Sequence, residues 1–127
     1  YKRQALDVTT SMDTPMDKGI NGLGKGVVLS VMDAGIIANK NFIAKMEEIC
    51  KDLDLDINYD MMTCGGTDAD NIHKAHDGVV TMTLSIPTCY MHSHRLIIHR
   101  KDYWQTVLLM AEFARRLDNE LLQILKG

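Results

Sequence analysis

The chain has 127 residues, 46% apolar and 24% charged, with a net charge of −3 at pH 7. That length suits one domain with its own core, and the apolar content excludes intrinsic disorder. The acidic balance argues against nucleic acid as a partner, and no apolar run approaches the ~18 residues of a membrane span.

Residues 5–9 are short and β-branched and predict a strand. Residues 10–24 are polar and glycine-rich around Pro15, and predict a loop. The apolar run 27–32 predicts a strand buried on both faces. Residues 39–53 predict a helix with Phe42, Met46, Ile49 and Leu53 on one stripe and Asn39 or Asn41 as its cap. Residues 57–62 predict another strand. Residues 67–76 predict a short helix capped by Thr67 and ended by Gly78. In 79–86, Val80, Met82, Leu84 and Ile86 face one way and Thr81, Thr83 and Ser85 the other, with Pro87 as the terminator. Residues 95–99 predict a short strand. Residues 102–126 predict one long helix. Its apolar stripe is Tyr103, Val107, Met110, Ala114, Leu117, Leu121 and Ile124, and Asp102 with Gln105 forms a capping box. Strands alternating with helices predict an α/β layered fold, a single domain over 1–127.

The three cysteines, Cys50, Cys64 and Cys89, form no Cys-x-x-Cys pair, so neither a disulfide framework nor a four-cysteine zinc site is expected. Nine methionines and unpaired thiols fit a reducing, cytoplasmic setting. The opening residues do not read as a signal peptide. The chain starts at Tyr1, which fits a processed chain, an expressed domain or a fragment.

Four groups of residues invite a chemical reading. Gly22, Gly24 and Gly26 around Lys25 suggest a phosphate loop, but an apolar strand follows them where such a loop requires a helix. A glycine-rich turn entering a buried strand fits better. The run 65–69, Gly-Gly-Thr-Asp-Ala, reads as a helix N-cap or as a loop lining a cleft. Cys89, His92, His94 and His99 are all possible zinc ligands. In an extended segment His92 and His94 share a face while His99 points away, so one histidine acting with distant partners is the better fit. Asp7 lies inside a strand, where a carboxylate must be exposed, paired or metal-bound.

Taken in order, these motifs carry a resemblance. They are Ala5-Leu-Asp-Val-Thr, Asp13-Thr-Pro, Leu23-Gly-Lys-Gly, Gly65-Gly-Thr-Asp-Ala with Ile72-His73, Ser85-Ile-Pro and Tyr90-Met-His-Ser93. Together the chain resembles the dinuclear-metal aminopeptidases of the tetrahedral and glutamyl aminopeptidase group, which also takes in cellulase-like members. The resemblance runs from about Ala5 into the final helix.

The resemblance implies a three-layer zinc-peptidase-like sheet with flanking helices, of which this chain is the C-terminal portion of the catalytic domain. It implies two divalent ions, zinc or cobalt, sharing a bridging Asp and a bridging water, with a Glu as general base. By motif, Asp7 is a terminal ligand to one ion and His92 to the other. Gly66, Thr67 and Asp68 lie beside the substrate cleft. The implied substrates are short peptides and the implied assembly is a homo-oligomer; neither nucleic acid nor membrane is a partner. In relatives an upstream His, the bridging Asp and a Glu-Glu pair precede the Asp-Val-Thr strand. Here six residues precede Asp7 and none is acidic or His. No catalytic residue is therefore assigned, and the two ions are expected to be weakly held or absent in this portion alone. The sequence also carries Cys89 where relatives have Arg, and Leu96 where they have Glu. A non-catalytic relative serving assembly or binding is the alternative.

Overall fold

The structure, a computed structural model, describes residues 2–16, 18–62, 65–75 and 78–126. Cys64 and His76 lie outside the described residues. In chain order the elements are β1 (Lys2–Thr10), β2 (Val27–Met32), α1 (Lys40–Asp52), β3 (Ile57–Met61), α2 (Asp68–His73), β4 (Val80–Cys89), β5 (Ile97–Ile98), α3 (Arg100–Arg116) and α4 (Asn119–Lys126). The strands form one mixed sheet in the order β1-β4-β2-β3, and β5 pairs with the end of β4. β1 runs parallel to β4 and β2 parallel to β3, while β2 and β4 meet antiparallel at the centre. The carboxyl ends of β1 and β4 therefore point together, away from those of β2 and β3.

The two faces of the sheet differ in chemistry. Val27, Leu29, Met82 and Leu84 turn to one face. There they pack with Phe42, Met46 and Ile49 of α1, Leu109 and Phe113 of α3, and Leu121 and Leu125 of α4. The Phe42 and Phe113 rings stack with centroids 5.1 Å apart. Burial in this core pushes the Cys50 thiol up to about 11, so it remains a neutral apolar group. The opposite face is polar. Ser30, Asn58, Asp60, Thr81, Thr83 and Ser85 are all buried there, and buried polar groups are tolerable only when hydrogen-bonded. Ser30 Oγ meets Ser85 Oγ at 3.3 Å, Thr83 Oγ1 meets Thr67 Oγ1 at 2.9 Å, and the Thr9 hydroxyl donates to the Asp60 carboxylate. α2 closes this face, with Ala69 packed against Ala5 and Ile36. The result is the expected three-layer α/β arrangement. No helix among the described residues is long and apolar enough to cross a membrane.

The local signals held at two caps. The Asn39 side chain accepts from the amides of Asn41 and Phe42 at the start of α1, and Thr67 accepts from Ala69 at the start of α2. At Pro87 the structure departs from expectation, because β4 continues to Cys89. On that side β4 pairs with β2 at Thr83–Ser85 and with β5 only from Thr88. The missing proline donor therefore falls in the gap between two partners.

The C-terminal region corrects the sequence reading twice. The single helix is two, because α3 ends at Arg116 and Asp118 begins α4 by accepting the Leu121 amide at 2.8 Å. The stripe facing the core is also turned by one residue. Asp102, Thr106, Leu109 and Phe113 are buried, whereas Tyr103 is 42% and Leu117 41% exposed. Both sets share the 4-3-4 helical spacing, and hydropathy favours the one that contains Tyr103 and Val107.

Asp102 decides between them. Its carboxylate is fully buried and accepts Gly24 N–H at 2.7 Å and Gly26 N–H at 2.9 Å. The expected capping box is therefore replaced: His99 caps α3 through Nδ1, which accepts Lys101 N–H at 3.2 Å. The clamp also requires glycine at position 26, where φ is +100° and a Cβ would lie 2.1 Å from the Asp56 carbonyl oxygen.

Two stability measurements check this packing. Leu109→Ala should cost about 2–5 kcal/mol, the range for truncating a buried leucine, while Leu117→Ala should stay near 0.5 kcal/mol as at other surface positions. Asp102→Asn should cost about 2 kcal/mol in urea unfolding, because an amide cannot accept two N–H bonds through two oxygens.

Candidate functional site

Asp7 lies in β1 opposite Ser85 of β4. β1 is paired along only one side, and Asp7 is exposed. The carboxylate Oδ1 accepts the Val8 amide at 2.8 Å. Strand alternation sets Asp7 on the same face as Ala5, the face that α2 covers. β4 runs four residues beyond Ser85 to Cys89, and a tight turn then presents His92 at the surface. Asp7 thus lies three residues before the carboxyl end of β1 and His92 three residues beyond that of the neighbouring parallel β4, on the side of the sheet where ligands collect in open α/β sheets.

The glycine-rich loop before α2 lies on the same face, lower along the strands. Its anchor is Asp33, a buried carboxylate that the sequence reading missed. Asp33 Oδ1 accepts the amides of Gly35 at 2.8 Å and Ile36 at 2.9 Å. Its Oδ2 accepts the Thr67 hydroxyl at 3.0 Å and the Thr67 amide at 3.3 Å. The local signal was the Asp-x-Gly spacing of an Asx turn. A Cβ at Gly35 would lie 2.2 Å from the Asp70 carboxyl carbon, so any larger residue there would have to push the Asp70 side chain aside. Thr67 is thereby committed to Asp33, Thr83 and the helix cap, and is buried. Gly66 and Asp68 on either side of it are exposed. Thr83 pairs with Ala5 in the register, so this loop sits two residues along β1 from Asp7.

The other candidate groups have structural occupations. The glycine turn at 22–26 does bind an anion, the chain's own Asp102, so those amides are not free for phosphate. Among Cys89, His92, His94 and His99, His99 Nδ1 is used as a helix cap. Cys89 lies in β4 opposite Ile97. Among the described residues no three His, Cys, Asp or Glu side chains converge as metal ligands. Asp13 anchors the loop after β1. The Ser11 hydroxyl donates to it and holds its carboxyl below the usual carboxylate range, and its Oδ2 accepts the Leu23 amide at 3.1 Å.

Carboxylate oxygen and imidazole nitrogen are both ordinary ligands of zinc and cobalt. Asp7 keeps Oδ2 without a hydrogen bond among the described residues, and the His92 ring likewise makes none. Both side chains are therefore chemically suited to a divalent ion, although two donors do not complete a coordination shell.

His92 is also in an unusual backbone state. Its φ is +62° and that of Tyr90 is +61°. Few residues other than Gly adopt this region, Asn, Asp and His more readily than the rest, and holding a non-glycine there costs of order 1–3 kcal/mol. Such outliers persist where the surroundings enforce them.

Comparison with known proteins gives the family and the fold. Residues 3–109 match the family described as M42 glutamyl aminopeptidase, and the chain belongs to that family. The glutamyl aminopeptidase of Lactococcus lactis subsp. cremoris is 31% identical over 127 aligned residues, 97% of this chain and 34% of its own length. The lysyl aminopeptidase of Pyrococcus furiosus is 34% identical over 116 residues, 89% of this chain and 32% of its own. A TET aminopeptidase from a marine sediment archaeon of the Thaumarchaeota superposes with a TM-score of 0.91 at 28% identity, over 96% of this chain and 35% of its own. The Pyrococcus horikoshii TET1 peptidase, which can assemble into a tetrahedron or a large octahedral shell, superposes at 0.74 with 26% identity, over 91% of this chain and 34% of its own. The chain spans about a third of the length of the curated relatives it matches.

The strain at His92 makes a measurable statement. His92→Gly should be more stable than His92→Ala by about 1 kcal/mol in thermal unfolding, because glycine alone adopts positive φ without a Cβ penalty.

Proposed function

We propose that this chain is the C-terminal portion of the catalytic domain of a metal-dependent aminopeptidase that releases N-terminal residues from short peptides. The observation that supports the reading most directly is the position of Asp7 and His92. They sit toward the carboxyl ends of two adjacent parallel strands in a chain that belongs to an aminopeptidase family. In this reading Asp7 and His92 each hold one of two divalent ions, zinc or cobalt. Bound, the ions polarise the scissile carbonyl and lower the pKa of water. The chain's own contribution is to present one carboxylate and one imidazole to the cleft, and to line it with Gly66 and Asp68. Thr67 holds that loop in place from beneath, through Asp33 and Thr83. The whole protein would act in a reducing cytoplasmic setting as a homo-oligomer, as the assembling relatives suggest.

The general base of the resemblance belongs to a Glu-Glu pair preceding the Asp-Val-Thr strand, and no Glu precedes Asp7 in this chain. The isolated chain should therefore not hydrolyse aminoacyl-nitroanilides with zinc or cobalt supplied. Turnover that survives repurification and disappears in Asp7→Asn would overturn that division of labour. The coding sequence upstream of Tyr1 supplies the second arm. A His-x-Asp motif and a Glu-Glu pair there are expected, and their absence would favour a non-catalytic relative.

A further inference from the structure

We infer that Ser93 is a positioning residue that locks His92 in its left-handed conformation and so aims the imidazole; the inference rests on the reading of His92 as a metal ligand. Residues 90–93 form a tight turn in which the Ser93 amide donates to the Tyr90 carbonyl at 3.2 Å. His92 occupies the third position of that turn, the one where positive φ normally calls for Gly or Asn. Nothing in the His92 side chain enforces this. The ring is exposed and makes no hydrogen bond among the described residues. The constraint comes from its neighbour. Ser93 Oγ lies 2.7 Å from the Tyr90 carbonyl oxygen and 2.8 Å from the Arg95 carbonyl oxygen, and accepts the Arg95 amide at 3.2 Å. Its single proton serves one of the two carbonyls while its lone pairs hold the Arg95 N–H. One hydroxyl thus ties the backbone before His92 to the backbone after it.

The base of the loop is fixed independently. Cys89 pairs with Ile97 and Thr88 with Ile98, so the ends of the 90–96 segment are held by the sheet. With its ends fixed and its middle bridged by Ser93, the segment has little room to relax His92 to negative φ. An imidazole on a fixed backbone loses less freedom on meeting an ion than one on a floppy loop, which is how outer-shell groups tune metal sites. Arg95 and His94, beside Ser93, are exposed and carry no equivalent bridge across the turn.

The test uses the 127-residue chain and three variants, Ser93→Ala, Ser93→Thr and Ser93→Cys, read by NMR. In Ser93→Ala, the His92 Cα shift and amide–Hα coupling characteristic of positive φ should average toward random coil, while the signals of β2 and β4 stay in place. Ser93→Thr keeps the hydroxyl and should restore them. Titration with Co2+, followed by broadening of the His92 ring signals, should show at least about tenfold weaker apparent binding in Ser93→Ala, the scale of outer-shell losses, and recovery in Ser93→Thr. An intact sheet with unchanged His92 signals and unchanged Co2+ response in Ser93→Ala would overturn the inference. Should Ser93→Ala fail to fold, Ser93→Cys, nearly isosteric but a weak donor, takes its place. Loosening of His92 in the Cys variant and not in the Thr variant supports the role, and identical behaviour of the two rejects it. If Co2+ leaves His92 untouched in the parent chain, which carries only two of the implied ligands, the backbone signals alone decide: His92 signals that stay in place in Ser93→Ala reject the inference, and signals that average toward random coil support it.

Discussion

One buried carboxylate organises the C-terminal half of this molecule. Asp102 enters the protein from the first turn of α3 and takes the amides of Gly24 and Gly26, which are 76 and more residues earlier in the chain. A buried anion is costly unless its charge is met by strong donors, and here the glycine turn provides them. The clamp fixes the rotation of α3 about its own axis. With Asp102 inward, Thr106, Leu109 and Phe113 follow at helical spacing, and Phe113 reaches Phe42 of α1. The same clamp sets where β2 begins, since Val27 follows Gly26 directly. Tyr103, Trp104, Val107 and Leu108 are left exposed as a consequence.

The second carboxylate, Asp33, does for the polar face what Asp102 does for the apolar one. It joins the turn after β2 to the cap of α2 and leaves Thr67 no free hydroxyl. This divides the Gly-Gly-Thr-Asp segment by role. Thr67 is structural, while Gly66 and Asp68 are presented to solvent. The candidate site thus rests on a face of the sheet built from small hydroxyl-bearing residues, where close approach across strands is possible. Large side chains at Ser30, Thr83 or Ser85 would lift α2 and its loop away from Asp7.

The likeness to TET and glutamyl aminopeptidases extends over nearly all of this chain and about a third of theirs. Asp7 and His92 are both exposed, the first within β1 and the second in the turn after β4. His92, exposed and without a side-chain hydrogen bond among the described residues, takes its positive φ inside the 90–93 turn.

Much of the fold was legible in the sequence because its signals are local. The apolar run of β2, the period-two pattern of β4, and the caps Asn39 and Thr67 depend on residues within a few positions of one another. The ordered motifs from Asp7 to His92 were legible for the same reason. What the sequence could not decide was which of two equally spaced faces of α3 turns inward, since hydropathy favoured Tyr103 and Val107 and the answer lay in a contact with Gly24 and Gly26. Nor could it reveal that β4 passes through Pro87, because that depends on where two other strands stop pairing. The roles of Asp33, Asp102 and Ser93 were hidden likewise, since a carboxylate or hydroxyl shows its function only through the amides and carbonyls it meets. Sequence alone determined most of the elements and the layering, and nominated Asp7 and His92 by motif. Tertiary structure decided the rotation of α3 and the exposure of each candidate, because hydrogen bonds to a distant backbone have no sequence period.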